Sequence, residues 1–211
     1  MTLLTKLFQF VLLITKKYNI DESHGISHSM NVLNFANEIY KHEVINNPSM
    51  KEFEKIIYVS AVLHDMCDKK YMNEEEGIKQ IEDFLSDKLD SHEIDITKKI
   101  VTTMSYSTVK KYGFPELNEY MPAYHIVREA DLLSAYDFDR CMIYNMNMKS
   151  GNFDDSITDA NSLFVNRVLR HNADGLFKTE YSKMNYIELH NNAITRMNFW
   201  NGMRSSKVFN K

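Results

Sequence analysis

An all-α fold is the class that this sequence predicts, and three observations carry it. The 211 residues include only 6 Gly and 3 Pro, too few for the many tight turns of a β-rich chain. Apolar residues recur at three- and four-residue steps, the period of one helical face. No stretch of useful length alternates apolar and polar as a half-buried strand does. Hydrophobic residues make up 44% of the chain and charged residues 26%, the balance of a chain with a full core and not of a disordered one. We read a single domain over 1–211, its core over about 18–147, with C-terminal helices over about 160–203 packing on it.

Each element has its own reason. An amphipathic helix is expected over Leu3 to Lys17. A polar connection follows, in which Asp21, Ser23 or Ser27 offers a side-chain oxygen to cap the next helix. That helix carries Ile26 to about Val44, with His28, Val32, Phe35, Ala36 and Ile39 on one face, and Asn46-Asn47-Pro48 breaks it. A third helix, about Lys51 to Met66, is apolar nearly all round over Ile56 to Leu63 and should be the central buried one. Asn73 to Leu89 turns Ile78, Ile81, Phe84 and Leu85 inward, and Ile94 to Met104 reads as helix. Ser105 to Met121, with Gly113 and Pro115, reads as a loop. Pro122 can open a helix over about Ala123 to Asn147. Gly151 to Asp159 reads as a loop, and helices over Ala160 to Arg170 and Tyr181 to Met203 complete the chain.

Composition also limits function. The net charge is -4, whereas a duplex nucleic-acid binder shows a basic excess. No duplex nucleic-acid partner is expected. A small phosphorylated substrate remains compatible, because an ion and a few local cations can hold it. Cys67 and Cys141 form no CxxC pair and no disulfide framework, which favours a reducing compartment. The apolar run Phe10 to Ile14 is short and followed by Lys16, Lys17 and Tyr18, without a small-residue cleavage site. No stretch approaches the roughly 18 apolar residues of a membrane span. The expectation is a cytoplasmic protein without a membrane partner.

The chemistry-bearing residues stand out against this background. His64 and Asp65 end the most apolar helix, and a carboxylate buried there needs a cation or hydrogen bonds to offset desolvation. Adjacent side chains on a helix diverge by about 100°, yet at a helix end they can converge on one ion. His28 lies on an apolar stripe near a helix start. Asp131, in Val127-Arg-Glu-Ala-Asp-Leu-Leu, is again a carboxylate among core residues. Imidazoles with carboxylates suit Mn²⁺, Fe²⁺, Zn²⁺ or Mg²⁺.

On three stretches the chain resembles the HD-domain superfamily of metal-dependent phosphohydrolases. These are Ser23-His24-Gly-Ile-Ser-His28-Ser-Met-Asn-Val32, Ala61-Val-Leu-His64-Asp65-Met-Cys-Asp68-Lys69-Lys70-Tyr71, and Arg128-Glu-Ala-Asp131-Leu-Leu. Within that superfamily it looks closest to the small nucleotide-pyrophosphohydrolase-like branch, whose opening is often Ser-His-Asp-x-x-His; here Gly25 stands where Asp is usual. The resemblance implies an HD-type helical bundle. It implies one divalent ion (Mn, Mg, Fe, Co or Zn) held by His28, His64, Asp65 and Asp131. It also implies hydrolysis of a nucleotide phosphoester or pyrophosphate bond by metal-activated water. A cyclic-nucleotide phosphodiesterase or 5'-nucleotidase would use the same ligands. A catalytically weak metal- and nucleotide-binding regulatory module is the alternative of another class.

Five further residues are candidates around that centre. Asp68, four residues after His64, would share its side if the helix continued and could orient the water. His24, four before His28, could donate a proton or touch phosphate. Lys69 and Lys70 are candidates for phosphate, and Arg128 either touches phosphate or pairs with an acid. Arg167, Arg170, Lys183 and His190 form a loose basic set, and Tyr71 or Tyr136 could stack on a base.

Overall fold

The structure, a computed structural model, describes residues 1–206. Among these residues there are ten α-helices, three short 3₁₀ turns and no strand, so the fold is all-α. The chain divides into two compact units, Met1–Asp131 and the remainder from Leu132.

In the first unit, α1 covers Leu3–Lys17, with Thr2 accepting from the Thr5 amide as its cap. The second helix, α2 (Ile26–Asn46), begins after Gly25, which makes no side-chain cap bond. None of the three expected capping side chains is used. Asp21 instead accepts from the amide of Ser23 at 2.9 Å, closing a turn before the helix starts. Asn47 and Pro48 end α2, and Pro48–Phe53 forms a 3₁₀ turn before α3 (Glu54–Leu63). The expected helix over Lys51 to Met66 is therefore shorter at both ends. Seven of the ten α3 residues are buried, from Ile56 to Leu63 except Tyr58. Around α3 pack Leu7, Val11 and Ile14 of α1, together with Ile81 and Leu85 of α4 (Glu74–Leu85) and Val101 of α5 (Ser91–Thr103). Asn73 caps α4, and Asp90 with Glu93 forms a capping box on α5, satisfying amides that the helix itself leaves orphaned.

Three expectations need correction. Ser105 to Met121 is not all loop: α6 spans Tyr106–Tyr112, capped by the Ser105 hydroxyl and stopped by Gly113 at φ 78°. The expected helix from Ala123 to Asn147 is two, α7 (Met121–Ser134) and α8 (Phe138–Met148). Asp137 accepts from the Arg140 amide, which starts a new helix rather than continuing the old one. Gly151 to Asp159 is mostly helical, because Asn152 caps α9 (Phe153–Asn166).

The second unit holds α8, α9, a 3₁₀ turn at Val168–Arg170, and α10 (Glu180–Arg204). Phe138 meets Phe164 edge-on at 4.9 Å between ring centroids. Asp139 of α8 accepts from the Arg196 guanidinium and from the Trp200 indole of α10 at 2.8 and 2.6 Å. Two of the loose basic set are taken up locally: Arg170 pairs with Asp174 and Lys183 with Glu180. His171 is fully buried, with Tyr136 and Phe177 against its ring.

Candidate metal centre

The first unit brings together residues that lie far apart in the chain. His28 is the third residue of α2, and the apolar stripe behind it buries its ring to 3% exposure. His64 caps the C-terminus of α3, where backbone carbonyls are orphaned, and its Nδ1 lies 2.9 Å from the carbonyl of Ala61. A carbonyl accepts only, so Nδ1 carries a proton and, in the neutral ring, the Nε2 lone pair faces the other way. Asp65 follows in a turn, its side chain 15% exposed, and Asp131 comes from α7 with 24%.

The donor atoms form a tight group. His28 Nε2 lies 3.1 Å from His64 Nε2 and 3.3 Å from Asp65 Oδ2, and His64 Nε2 lies 3.2 Å from the same oxygen. Asp131 Oδ1 sits 3.4 Å from His28 Nε2 and 3.8 Å from His64 Nε2. Asp65 Oδ2 is buried and accepts no aligned hydrogen bond, although two ring nitrogens are beside it. Ligand atoms about 2.1 Å from one ion and 90–109° apart would lie about 3.0–3.4 Å from one another. The three edges among His28, His64 and Asp65 match that spacing, so these three donors fit a divalent cation, while Asp131 stands up to 3.8 Å away. His28 Nδ1 is buried without a hydrogen-bond partner, so the backbone sets the tautomer at His64 but not at His28.

The electrostatics agree with a cation-binding cluster. Burial opposes a charge on His64, but Asp65 and Asp131 outweigh it and raise the imidazole to about 9. Burial likewise opposes ionisation of Asp65 and Asp131, and the histidines beside them hold both carboxyls well below the ordinary range. The group binds positive charge as a unit, whether a proton or an ion supplies it.

The other predicted residues separate into two sets. His24, Asp68 and Lys70 come together beside the centre. The Lys70 ammonium lies 3.2 Å from Asp68 Oδ2 and 3.4 Å from His24 Nε2, and the His24 ring centroid is 6.1 Å from that of His28. Asp68 does not arrive there on a continuing helix, because α3 ends at Leu63; it accepts from the Lys70 amide within the next turn. Lys69 is exposed. Arg128 is 1% exposed and pairs with fully buried Glu129 at 2.9 Å, with its guanidinium over the Phe114 ring. It is a core ion pair. Sequence reasoning missed Asp21 and Tyr71 as partners: the Tyr71 hydroxyl donates to Asp21 and also contacts His24. The Asp-x-Ser spacing ahead of His24 was the available signal, but the same side chains also suit a helix cap.

A cavity of about 820 Å³ also opens in this unit, between Leu3, Phe8, Met30, Leu33, Asn34 and Tyr58. None of the predicted site residues lines it, and the chemistry belongs to the histidine–aspartate group. No family model, curated protein or solved structure matches the chain.

Proposed function

We propose that the protein is a metal-dependent phosphohydrolase of the HD type, acting on a nucleotide phosphoester or pyrophosphate bond. One observation carries the reading. Two imidazole nitrogens and a carboxylate oxygen converge with edges of 3.1–3.3 Å, with a second carboxylate alongside. His28, His64, Asp65 and Asp131 would hold the ion, two carboxylates balancing its two charges. When bound, it supplies Lewis-acid activation of water and of the phosphoryl oxygens. The chain's own residues do the rest. Lys70, half exposed, offers an ammonium to phosphate while Asp68 holds it from behind. His24 stands on the same side of the centre as a proton carrier.

The test is phosphate and pyrophosphate release from a nucleotide panel with Mn²⁺, Mg²⁺, Co²⁺ or Zn²⁺, comparing wild type with Asp65→Ala and Asp65→Asn. Turnover that falls at least on the order of a hundredfold in both variants, with helical content retained, supports the reading. Folded wild-type protein that binds the ion but turns over no nucleotide would sink it and favour a metal- and nucleotide-binding regulatory module.

A further inference from the structure

The connection between α1 and α2 carries polar side chains that the metal centre does not use. Asp21 Oδ2 accepts from the Tyr71 hydroxyl at 2.5 Å, and Asp21 Oδ1 accepts from the Ser23 amide at 2.9 Å. Burial works against the charge on Asp21, but its hydrogen bonds outweigh it and keep the carboxyl below its usual range. An ionised carboxylate only accepts, so the Tyr71 proton points at Asp21. The Tyr71 oxygen also lies 2.9 Å from Nδ1 of His24, and the Ser23 hydroxyl lies 2.7 Å from the same nitrogen. With its proton committed to Asp21, the Tyr71 oxygen can only accept from that nitrogen. Nδ1 therefore carries the proton. The neutral ring then has its lone pair on Nε2, which faces the Lys70 ammonium at 3.4 Å, a group that only donates. Donors and acceptors match along the line from Lys70 through His24 and Tyr71 to Asp21.

We propose that Asp21 is a positioning residue, which acts through the hydroxyl of Tyr71 to lock His24 in its Nδ1–H form with Nε2 turned to Lys70. The lock has a use if the hydrolase reading holds, and this part rests on that reading. Nε2 takes the proton of the attacking water as the new O–P bond forms. It then returns that proton to the oxygen that leaves phosphorus. Through both transfers the Nδ1–H stays directed, by way of the Tyr71 hydroxyl, at a negative carboxylate. Without Asp21 the ring can carry its proton on Nε2 and present no lone pair to the site.

The tautomer can be read without turnover. In the full-length, metal-free protein labelled with ¹⁵N-histidine, two-bond nitrogen–proton correlations report which nitrogen is protonated, at a pH where the same spectra give His24 neutral. Wild type is expected in the Nδ1–H form. In Asp21→Asn the amide donates as well as accepts, so a hydroxyl can turn round and donate to Nδ1, moving His24 towards Nε2–H. Tyr71→Phe keeps the ring packing, leaves Ser23 alone on Nδ1, and should give an intermediate population. In parallel, Mn²⁺-dependent hydrolysis of ATP should lose on the order of tenfold to a hundredfold in kcat in both variants, with KM within about twofold. An Nε2–H form in wild type, or the same tautomer in all three proteins, overturns the lock. A shifted tautomer with unchanged kcat overturns the positioning role. No hydrolysis of ATP or p-nitrophenyl phosphate by wild type counts against the hydrolase reading, and the spectra alone then decide the lock.

Discussion

Single residues in this protein are set by which charges are buried and what faces them. Arg128 and Glu129 are adjacent in sequence and both essentially unexposed, with their ion pair at 2.9 Å. Burial lowers the Arg128 pKa, and the Glu129 carboxylate works against that shift. Forming such a pair brings little net gain, because desolvation of both ions nearly cancels their attraction. Removing one partner is different, since the other charge stays inside. Glu129→Ala should therefore destabilise the protein by about 3–5 kcal/mol in urea unfolding, whereas Lys69→Ala, at an exposed position, should stay within about 0.5 kcal/mol. A loss below about 1 kcal/mol for Glu129→Ala would mean that the guanidinium finds other compensation, and the account of a core ion pair would fail. The pair also explains why Arg128 is a poor candidate to reach a substrate, although its place three residues before Asp131 suggested one.

At the scale of elements, the histidine–aspartate group depends on how tightly α4 packs against the turn that carries Asp65. Gly77 of α4 is the contact. A Cβ there would lie 2.7 Å from Cys67 Cα and 2.8 Å from Met72 Sδ. Helix propensity alone favours alanine over glycine by about 1 kcal/mol. The clash is with backbone, which no rotamer change relieves, and overpacking of this kind costs about 1–3 kcal/mol. Gly77→Ala should thus lower the melting temperature and, by pushing the Met66–Cys67 turn, weaken Mn²⁺ binding; an increase in both would refute the packing argument. The same elements show what a sequence makes legible. Periodic segments such as α1 and α4 were readable because burial itself writes the period. His64, Asp65 and Asp131 stand out as polar residues among apolar neighbours and His28 lies on an apolar stripe, but their grouping round one ion is what the family resemblance implies. Short or broken elements were not. In α6 only Val109 is buried, so the helix rests on Ser105 and Gly113 and leaves almost no periodic trace. The break between α7 and α8 is made by one Asp137 cap inside a run that continues to look helical. The contacts of Asp21 with Tyr71 span 50 residues, and local patterning carries no record of them.

For the molecule as a whole, the proposed ion would compete with a proton for one group of atoms, and folding stability would record the competition. In the metal-free protein, burial opposes the imidazolium of His64, while Asp65 and Asp131 raise its pKa from 6.5 to about 9. A raised folded-state pKa means that the native state holds the proton more tightly than the unfolded chain does. The stabilisation from His64 is then complete below about pH 6.5 and is lost as pH rises through about 9, a change of a few kcal/mol at about 1.4 kcal/mol per unit. A divalent ion needs the Nε2 lone pair that this proton occupies, so binding should release a proton and tighten with pH. Ligand stabilisation follows affinity at fixed ion concentration. Two melting curves series between pH 6 and 9.5, one with a chelator and one with excess Mn²⁺, should therefore diverge. The metal-free melting temperature falls towards alkaline pH, while the increment from Mn²⁺ grows until His64 is deprotonated without it. His64→Gln should flatten the metal-free decline and remove most of the Mn²⁺ increment. An increment that does not change with pH would mean that the ion binds elsewhere, and the histidine–aspartate group would then be an ion-paired core that stabilises the fold through its shared proton alone.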